Sequence, residues 1–212
     1  LKFKPGQFLE WTLPAHRSDS RGNRRYLTVA SSPTEQDLMV TVRQPDNPSM
    51  FKQRLNHFRP GNRLLVSHLS GDFTLPKESS QKLAFIAGGV GVTPFRSMIR
   101  YLVDMRHERD IAMLYSANSP DELAFVDLFN RAEKFGIKTA YTISRPKEPL
   151  PSWGGHVGPV RAALIKKLMP DYKDRIFYIS GSYGFITAVR GELEKLGVPR
   201  AKIKSDYFPG YG

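Results

Sequence analysis

Residues 83–94 read LAFIAGGVGVTP: five apolar residues, then three glycines within four positions, and a proline at the end. The apolar run predicts a buried strand, and proline is typical of the first turn of a helix, where its missing N–H costs no hydrogen bond. Glycines at this junction let the backbone approach a pyrophosphate closely, and the following helix offers unpaired N–H groups to an anion. The spacing is not the G-x-G-x-x-G dinucleotide fingerprint, so a tight turn that binds nothing is an equally open interpretation.

Strands and helices alternate along the chain after this stretch. Apolar runs predict strands at residues 83–87, 111–115, 139–143 and 175–180, and the intervening patterns predict helices at residues 94–105, 120–135, 160–167 and 185–196. Alternation of this kind is typical of a parallel sheet with helices on both faces.

The chain before this stretch has a different sequence pattern, in which short β-type segments are separated by turn residues. Strands are predicted at residues 7–13, 25–30, 38–43 and 63–68, with one short helix at residues 49–56 capped by Ser49. Many short strands favour an antiparallel barrel. We therefore expect a two-domain β plus α/β protein, with a barrel in residues 1–77 and a parallel-sheet nucleotide-binding domain in residues 82–212.

The composition is strongly basic and lacks cysteine. In 212 residues, 32 Lys and Arg face 20 Asp and Glu, which gives a net charge of +12. This charge raises the encounter rate with acidic partners, but the basic residues are scattered rather than interleaved with aromatics, so we expect no nucleic-acid partner. Without cysteine, this chain forms no disulfide, zinc–thiolate site or cysteine-held iron–sulfur cluster. The histidines show no metal-ligand spacing, and we predict no metal site.

The chain starts at Leu1, inside a predicted strand, and no apolar run approaches the roughly 20 residues needed to span a bilayer. We expect it to be part of a longer protein, with the first strand of the barrel missing. The expected location is the cytoplasm, or the cytoplasmic face of a membrane complex that is reached only through parts of the parent chain absent here.

A second motif lies at residues 25–33, which read RYLTVASSP. An arginine fork can bind a phosphate with two hydrogen bonds, and a hydroxyl can hydrogen-bond a ring nitrogen. Alone, the stretch is more typical of an edge strand. Together with KPGQF at residues 4–8, SMFK at 49–52, GDFTLP at 71–76, the stretch 88–98 and DYF at 206–208, it resembles the ferredoxin–NADP(+) reductase family of FAD enzymes. The similarity runs in order over essentially the whole chain.

The resemblance implies roles for residues of the first domain. Arg25 matches the arginine on the FAD pyrophosphate, and Thr28 matches the hydroxyl residue near the flavin N5. Leu27 stands where the family usually has tyrosine or phenylalanine against the flavin, which leaves open whether Tyr26 compensates. Ser49, Met50, Phe51 and Lys52 match the helix start that holds the pyrophosphate, and Val42, Arg43 and Gln44 match the strand end along the flavin and ribityl chain.

In the second domain the resemblance implies a nicotinamide nucleotide site and the reacting groups. Ser180 and Gly181 stand where many relatives have a Cys-Gly pair near the nicotinamide. Asp206 matches an acidic residue linked to proton exchange, and Phe208 an aromatic that covers the flavin, which makes residues 206–212 a candidate gate. The nucleotide loop corresponds to Gly88, Gly89, Gly91 and Thr93, with Ser116 at the end of the next strand.

The implied activity is hydride transfer between NAD(P)H and FAD, with electrons passed to a separate acidic acceptor protein or a fused redox module. Residues 115–121 contain no arginine for a 2′-phosphate, so we favour NADH over NADPH, although Arg145, Lys147 or Arg190 could reach the adenosine end. Two alternatives to this activity stay open. One is an electron-transfer module of a larger, possibly membrane-associated complex. The other is a module that binds flavin without turnover, which the departures at Leu27 and Ser180 suggest.

Overall fold

The structure is a computed structural model that describes residues 1–14, 19–44 and 47–208. Residues 209–212, the end of the candidate gate, lie outside the described residues. In the described chain, no helix is both long and apolar enough to cross a membrane.

The first domain is built on a three-stranded antiparallel sheet. Its strands are β1 (Phe8–Thr12), β2 (Arg24–Thr28) and β3 (Leu65–Ser70), in the order β2-β1-β3. Helix α1 (Met50–Asn56) packs Phe51 into a small apolar core with residues of β1. Ser49 caps this helix, as predicted, by accepting a hydrogen bond from the Lys52 N–H at 3.4 Å.

The strand predicted at residues 38–43 does not form. The Ala30 N–H donates to the Met39 carbonyl (2.7 Å), and the Met39 N–H donates to the Ser31 hydroxyl (2.9 Å). These contacts do not extend into a ladder in the part of the chain that the structure describes. Of the apolar side of this segment, Leu38 is exposed and Val40 is partly buried against the small core around Phe51.

The second domain is a parallel sheet covered by helices on both faces. The strand order is β7-β6-β5-β4-β8-β9, and every neighbouring pair is parallel. The strands are β4 (Leu83–Gly88), β5 (Ile111–Ala117), β6 (Ile137–Ile143), β7 (His156–Val157), β8 (Ile176–Ser182) and β9 (Ile203–Phe208), and the helices are α2 (Thr93–Asp104), α3 (Val126–Ala132), α4 (Ala162–Leu168) and α5 (Tyr183–Lys195). The predicted fold class, a β domain followed by an α/β domain, is confirmed.

The structure of this domain differs from the prediction at one helix and at the last strand. The helix expected at residues 120–135 is reduced to α3, flanked by 3₁₀ turns at Pro120–Glu122 and Glu133–Phe135. Phe125 has a φ of +64°, a left-handed conformation that a right-handed helix cannot contain, so α3 starts after it. Strand β9 was not predicted, and it places Asp206 and Phe208 in the sheet rather than in a free tail.

The two domains share apolar packing. Phe73 of the first domain is buried against Phe95 of α2 and Tyr178 of β8, with ring centroids 5.7 and 5.1 Å apart. The Tyr178 hydroxyl also donates to the Thr74 carbonyl at 3.0 Å. Full burial of a phenylalanine contributes about 1.5–3 kcal/mol, and this contact holds the stretch GDFTLP against α2 and β8.

Candidate active site

The glycine-rich stretch forms a tight turn between β4 and α2. Gly89 has a φ of +52°, which glycine adopts without strain. A Cβ on Gly91 would overlap the Ser180 carbonyl and lie 2.6 Å from the Gly181 Cα. The Thr93 hydroxyl closes the turn by donating to the Val90 carbonyl at 2.7 Å. The turn therefore brings bare backbone next to the end of β8.

The end of β8 is equally close-packed. A Cβ on Gly88 or on Gly181 would lie 2.7 or 2.8 Å from the ring of Phe185 on α5. Ser182 caps α5 by accepting from the Phe185 N–H at 3.3 Å. The absence of side chains at these two glycines lets one aromatic ring pack against both strand ends.

Two buried polar atoms without partners mark the same edge of the sheet. Ser180 on β8 and Asp206 on β9 are direct register partners. The Ser180 Oγ and one carboxylate oxygen of Asp206, Oδ2, are buried and accept or donate no hydrogen bond in the described chain. A buried polar group without a hydrogen-bond partner lowers the stability of the folded state by about 1–3 kcal/mol. Both atoms lie at the carboxyl ends of the strands, where ligands of open α/β sheets bind. A hydroxyl and a carboxylate side by side fit a primary amide, which offers N–H donors and a carbonyl acceptor.

Asp206 is also electrostatically unusual. Burial, together with the smaller effect of the nearby negative charge of Asp72, raises its pKa to about 6. Asp72 belongs to the first domain and immediately precedes Phe73, so both domains shape this carboxyl group. The group changes charge within the range in which most proteins are folded and active.

Strand β2 presents its residues on two faces. Arg25 is buried and donates from Nη1 to the carbonyls of Arg21 (2.8 Å) and Gly22 (3.2 Å), and its guanidinium lies 5.1 Å from the centre of the Phe51 ring. Leu27, two residues on, packs against the same small core. Arg25 and Leu27 thus share one face of the strand.

Tyr26 lies on the opposite face from Leu27. It is 59% exposed and meets Phe8 edge to face, with centroids 5.8 Å apart. It therefore does not replace the missing aromatic at Leu27. Thr28 is buried at the end of the strand, and the Trp11 indole N–H donates to the Leu27 carbonyl at 3.3 Å.

Positive charge gathers at the start of α1. Burial lowers the pKa of Lys52, and the charges of Arg25, Arg21 and Arg43 lower it further. A diphosphate is the kind of anion that would relieve this repulsion. The prediction from the sequence did not include a carboxylate at this helix start. Asp19 accepts a hydrogen bond from the Met50 N–H (3.0 Å) and pairs with Arg21 (2.9 Å).

The remaining predicted residues lie around these groups. Gln44 donates to Asn56 at 2.5 Å, at the far end of α1 from Ser49, and Arg43 pairs across the domains with Glu122 at 3.5 Å. Val42 is half-buried, and Ser116 is buried beside Gly88 in the register of β4 and β5. Among the described residues, no group of three or more His, Asp or Glu could hold a metal ion.

Helix α2 is connected both to the glycine turn, which it follows directly, and to the residues just after β2. One turn after Thr93, Arg96 donates to the Ala30 carbonyl at 3.1 Å, and the Ser97 hydroxyl donates to the Ser31 carbonyl at 2.7 Å. Ala30 follows Thr28 by two residues. One helix therefore connects the two predicted cofactor sites.

Comparison with known proteins assigns the chain to a family. The family described as "Oxidoreductase NAD-binding domain" matches residues 85–191, just over half of the 212-residue chain. The chain belongs to this family. The matched range holds the glycine turn, Ser116, Ser180 and Gly181, while Asp206 and the whole first domain lie outside it.

Relatives of the oxidoreductase NAD-binding family extend the similarity to the first domain. The reductase subunit of glycine betaine monooxygenase from Chromohalobacter salexigens is 27% identical over 211 residues, which cover 97% of this chain and 56% of that protein. A flavohemoprotein from Bacillus subtilis is 26% identical over 98% of this chain and 52% of its own length. The chain thus spans about half the length of these curated relatives.

A solved structure shows the same two-domain fold. The ferredoxin–NADP+ reductase from Neisseria gonorrhoeae, solved with bound FAD and NADP, superposes with a TM-score of 0.74 over 97% of this chain and 87% of that one, at 20% identity. The resemblance to ferredoxin–NADP(+) reductases seen in the sequence is confirmed at the level of family and fold.

Proposed function

We propose that this chain transfers hydride between a nicotinamide nucleotide and FAD and passes the electrons to a separate redox partner. One observation carries the proposal: α2 continues directly from the glycine turn, and its Arg96 and Ser97 are hydrogen-bonded to Ala30 and Ser31, just after the β2 strand. A hydride moves between two flat rings only when they are stacked within about 3–3.5 Å, so the two sites must be held at a fixed separation.

The residues present fit both cofactors. Arg25, Arg43 and Lys52 supply cations for the FAD diphosphate, and the Thr28 hydroxyl stands at the strand end for the ring. When bound, FAD supplies a centre that accepts two electrons together and releases them singly. Near the other end of the site, Ser180 and Asp206 have the unsatisfied donor and acceptor that a nicotinamide carboxamide requires.

Asp206 has a second task in this proposal. Positive charge develops on the nicotinamide ring as the hydride leaves. An ionised carboxylate at the ring's edge stabilises that charge in a site that excludes water. Above pH 6, Asp206 carries this charge, and at lower pH it does not.

Anaerobic stopped-flow mixing tests the proposal. The full chain, loaded with FAD, is mixed with NADH, and we expect the visible absorbance of the bound flavin to bleach. Free FAD at the same concentration serves as the control. Bound FAD that does not bleach would support a binding module without turnover, and failure to bind FAD at all would refute both.

We infer a preference for NADH from the loop after β5. The Asn118 N–H and side-chain amide both donate to the Glu122 carboxylate at 3.2 Å, and Ser144 donates to Asn118 at 3.3 Å. A 2′-phosphate placed at this strand end would lie beside the Glu122 carboxylate and meet no arginine of the loop, and the nearby Arg43 is already paired with Glu122 at 3.5 Å. We expect kcat/KM for NADPH to be about tenfold lower than for NADH, a penalty of about 1.4 kcal/mol.

Steady-state turnover with both nucleotides measures this preference. Glu122→Gln keeps the size of the side chain and should reduce the preference for NADH over NADPH. Glu133→Gln removes an exposed carboxylate before β6, at the opposite edge of the sheet, and should leave the preference unchanged. A wild-type preference for NADPH would contradict the inference.

The electron acceptor follows from charge and from the relatives. The net charge of +12 favours encounter with an acidic protein surface. One relative is the reductase subunit of a monooxygenase, and this chain spans about half of that subunit. We propose that the acceptor is an acidic redox protein or a further redox module of the same polypeptide.

A further inference from the structure

Arg96 is a buried arginine that the hydride chemistry does not use. Its side chain is 8% exposed, and it points from α2 into the contact with the first domain. It donates to the Ala30 carbonyl at 3.1 Å and to the Glu35 carboxylate at 2.8 Å, with a second, shorter contact to the other oxygen of Glu35. The Phe125 ring covers its guanidinium at 5.5 Å. These contacts hold the planar fork in one orientation.

Glu35 is also held in place by its own loop, independently of Arg96. Its carboxylate accepts from the Ser32 N–H at 2.7 Å, within its own loop. Burial opposes its ionisation, but the hydrogen bonds from Arg96 and Ser32 hold its pKa below the usual value. The pair is therefore an ionised, two-point contact between two rigid segments.

Neighbouring contacts align the whole helix with the same loop. Ser97 donates to the Ser31 carbonyl at 2.7 Å, and Thr34 donates to Asp104, near the end of α2, at 2.5 Å. Residues 30–35 thus lie along α2 from its first turn to its last. A helix attached at several points moves only as a body with the segment to which it is attached.

The position of the pair relates it to the reaction. Arg96 lies one helical turn after Thr93, where the glycine turn ends, and Ala30 lies two residues after Thr28. A displacement of Arg96 relative to residues 30–35 therefore shifts the nucleotide turn relative to the flavin strand. A misplacement of about 1 Å can lower the rate of a positioned reaction about 100-fold.

We propose that Arg96 and Glu35 form a positioning pair that sets the separation of the nicotinamide and flavin rings. The inference rests on the proposed hydride transfer and adds to it a specific source of alignment. Arg96 is a positioning residue here and not a catalytic one, because its contacts are with the protein. A buried ion pair adds little net stability, so its main contribution is to geometry.

The test uses the FAD-loaded full chain and variants that differ in alignment. Glu35→Gln keeps the shape of the acceptor but removes its charge, and Arg96→Lys keeps the charge but loses the fork. In each we expect the limiting rate of flavin bleaching by NADH to fall at least tenfold. The charge-transfer absorbance of the stacked rings should weaken, whereas KM for NADH and the FAD content should change less than twofold.

Two further variants separate alignment from folding. Arg200→Gln breaks an exposed ion pair with Glu194, at 3.2 Å, outside α2 and residues 30–35, and should leave the bleaching rate within twofold of wild type. The exchanged pair Arg96→Glu with Glu35→Arg should recover part of the charge-transfer absorbance lost by Arg96→Glu alone.

The outcomes distinguish this inference from the proposed function. Unchanged bleaching rate and charge-transfer absorbance per bound flavin in Glu35→Gln and Arg96→Lys would overturn the inference, whatever happened to thermal stability. Lower FAD content with a normal rate per flavin would also overturn it. Wild-type protein that binds FAD but does not bleach would instead refute the hydride transfer on which it rests.

Discussion

Gly91→Ala is expected to lower kcat/KM for NADH at least about 100-fold while leaving FAD bound. The new Cβ would overlap the Ser180 carbonyl and approach the Gly181 Cα to 2.6 Å, and both of these are backbone atoms that cannot rotate away. The turn must therefore move, and a shift of about 1 Å between reacting groups is enough for a loss of this size. The rate of anaerobic flavin bleaching and the FAD content of the purified variant measure the two effects.

The chain contains a matched control for this substitution. Gly191 lies in α5, and a Cβ there meets nothing within 4 Å. Gly191→Ala should keep full activity and gain about 0.5–1 kcal/mol of stability, because alanine favours the helix. Equal activities of the two variants would show that the glycine turn does not hold the nucleotide.

Asp206→Asn is expected to remove a pH dependence from both activity and stability. The pKa of Asp206 is raised by burial to about 6, so the wild-type bleaching rate should rise with pH through about 6 as the carboxylate ionises. The variant carries no charge at any pH, so its rate should be flat and lower than that of wild type above pH 6. Single-turnover rates between about pH 5 and pH 8 test this, because that range spans the pKa of about 6.

The free energy of unfolding should change with pH in the opposite direction to the bleaching rate: it should fall as pH rises. Because the folded pKa of this acid is above its ordinary value of 3.8, the folded state holds more protons than the unfolded state between these two values. Stability therefore falls as pH rises from about 4 to about 6, and the cost persists above that. Asp206→Asn should be more stable than wild type by about 1–3 kcal/mol at pH 7 and no more stable below about pH 4.

Asp72→Asn separates the two causes of the raised pKa. It removes the repelling charge but leaves Asp206 buried, so the inflection in the rate should move to lower pH without disappearing. An inflection that survives in Asp206→Asn would show that another group titrates and would contradict the assignment.

The sequence predicted the central elements of the second domain because their signals are local. LAFIAGGVGVTP contains the apolar strand, the glycines and the helix-starting proline side by side, and β4 and α2 lie within a few residues of the predicted bounds. Strand β9 reads IKSDYF, and its burial does not alternate clearly, so it has no recognisable period. The left-handed conformation at Phe125 occurs at a position that has neither glycine nor proline to signal it.

The candidate site was predicted in part for the same reason. Ser180 and Asp206 were each identified, but their pairing follows from the register of two strands that are 26 positions apart at these residues. Arg96, Glu35 and Asp19 were missed, because their importance comes from partners far away in sequence. No local motif marks an arginine that bonds a loop 61 residues away.

The indole of Trp11 gives the β2 strand an optical reporter. It is bonded to the Leu27 carbonyl in the first domain, whereas the other tryptophan, Trp153, bonds the His156 carbonyl at 2.8 Å beside the outermost strand of the second. The tryptophan emission of the protein therefore has one source in each domain. Replacing Trp153 with phenylalanine would leave a single tryptophan, whose emission follows events at the β2 strand without any added dye.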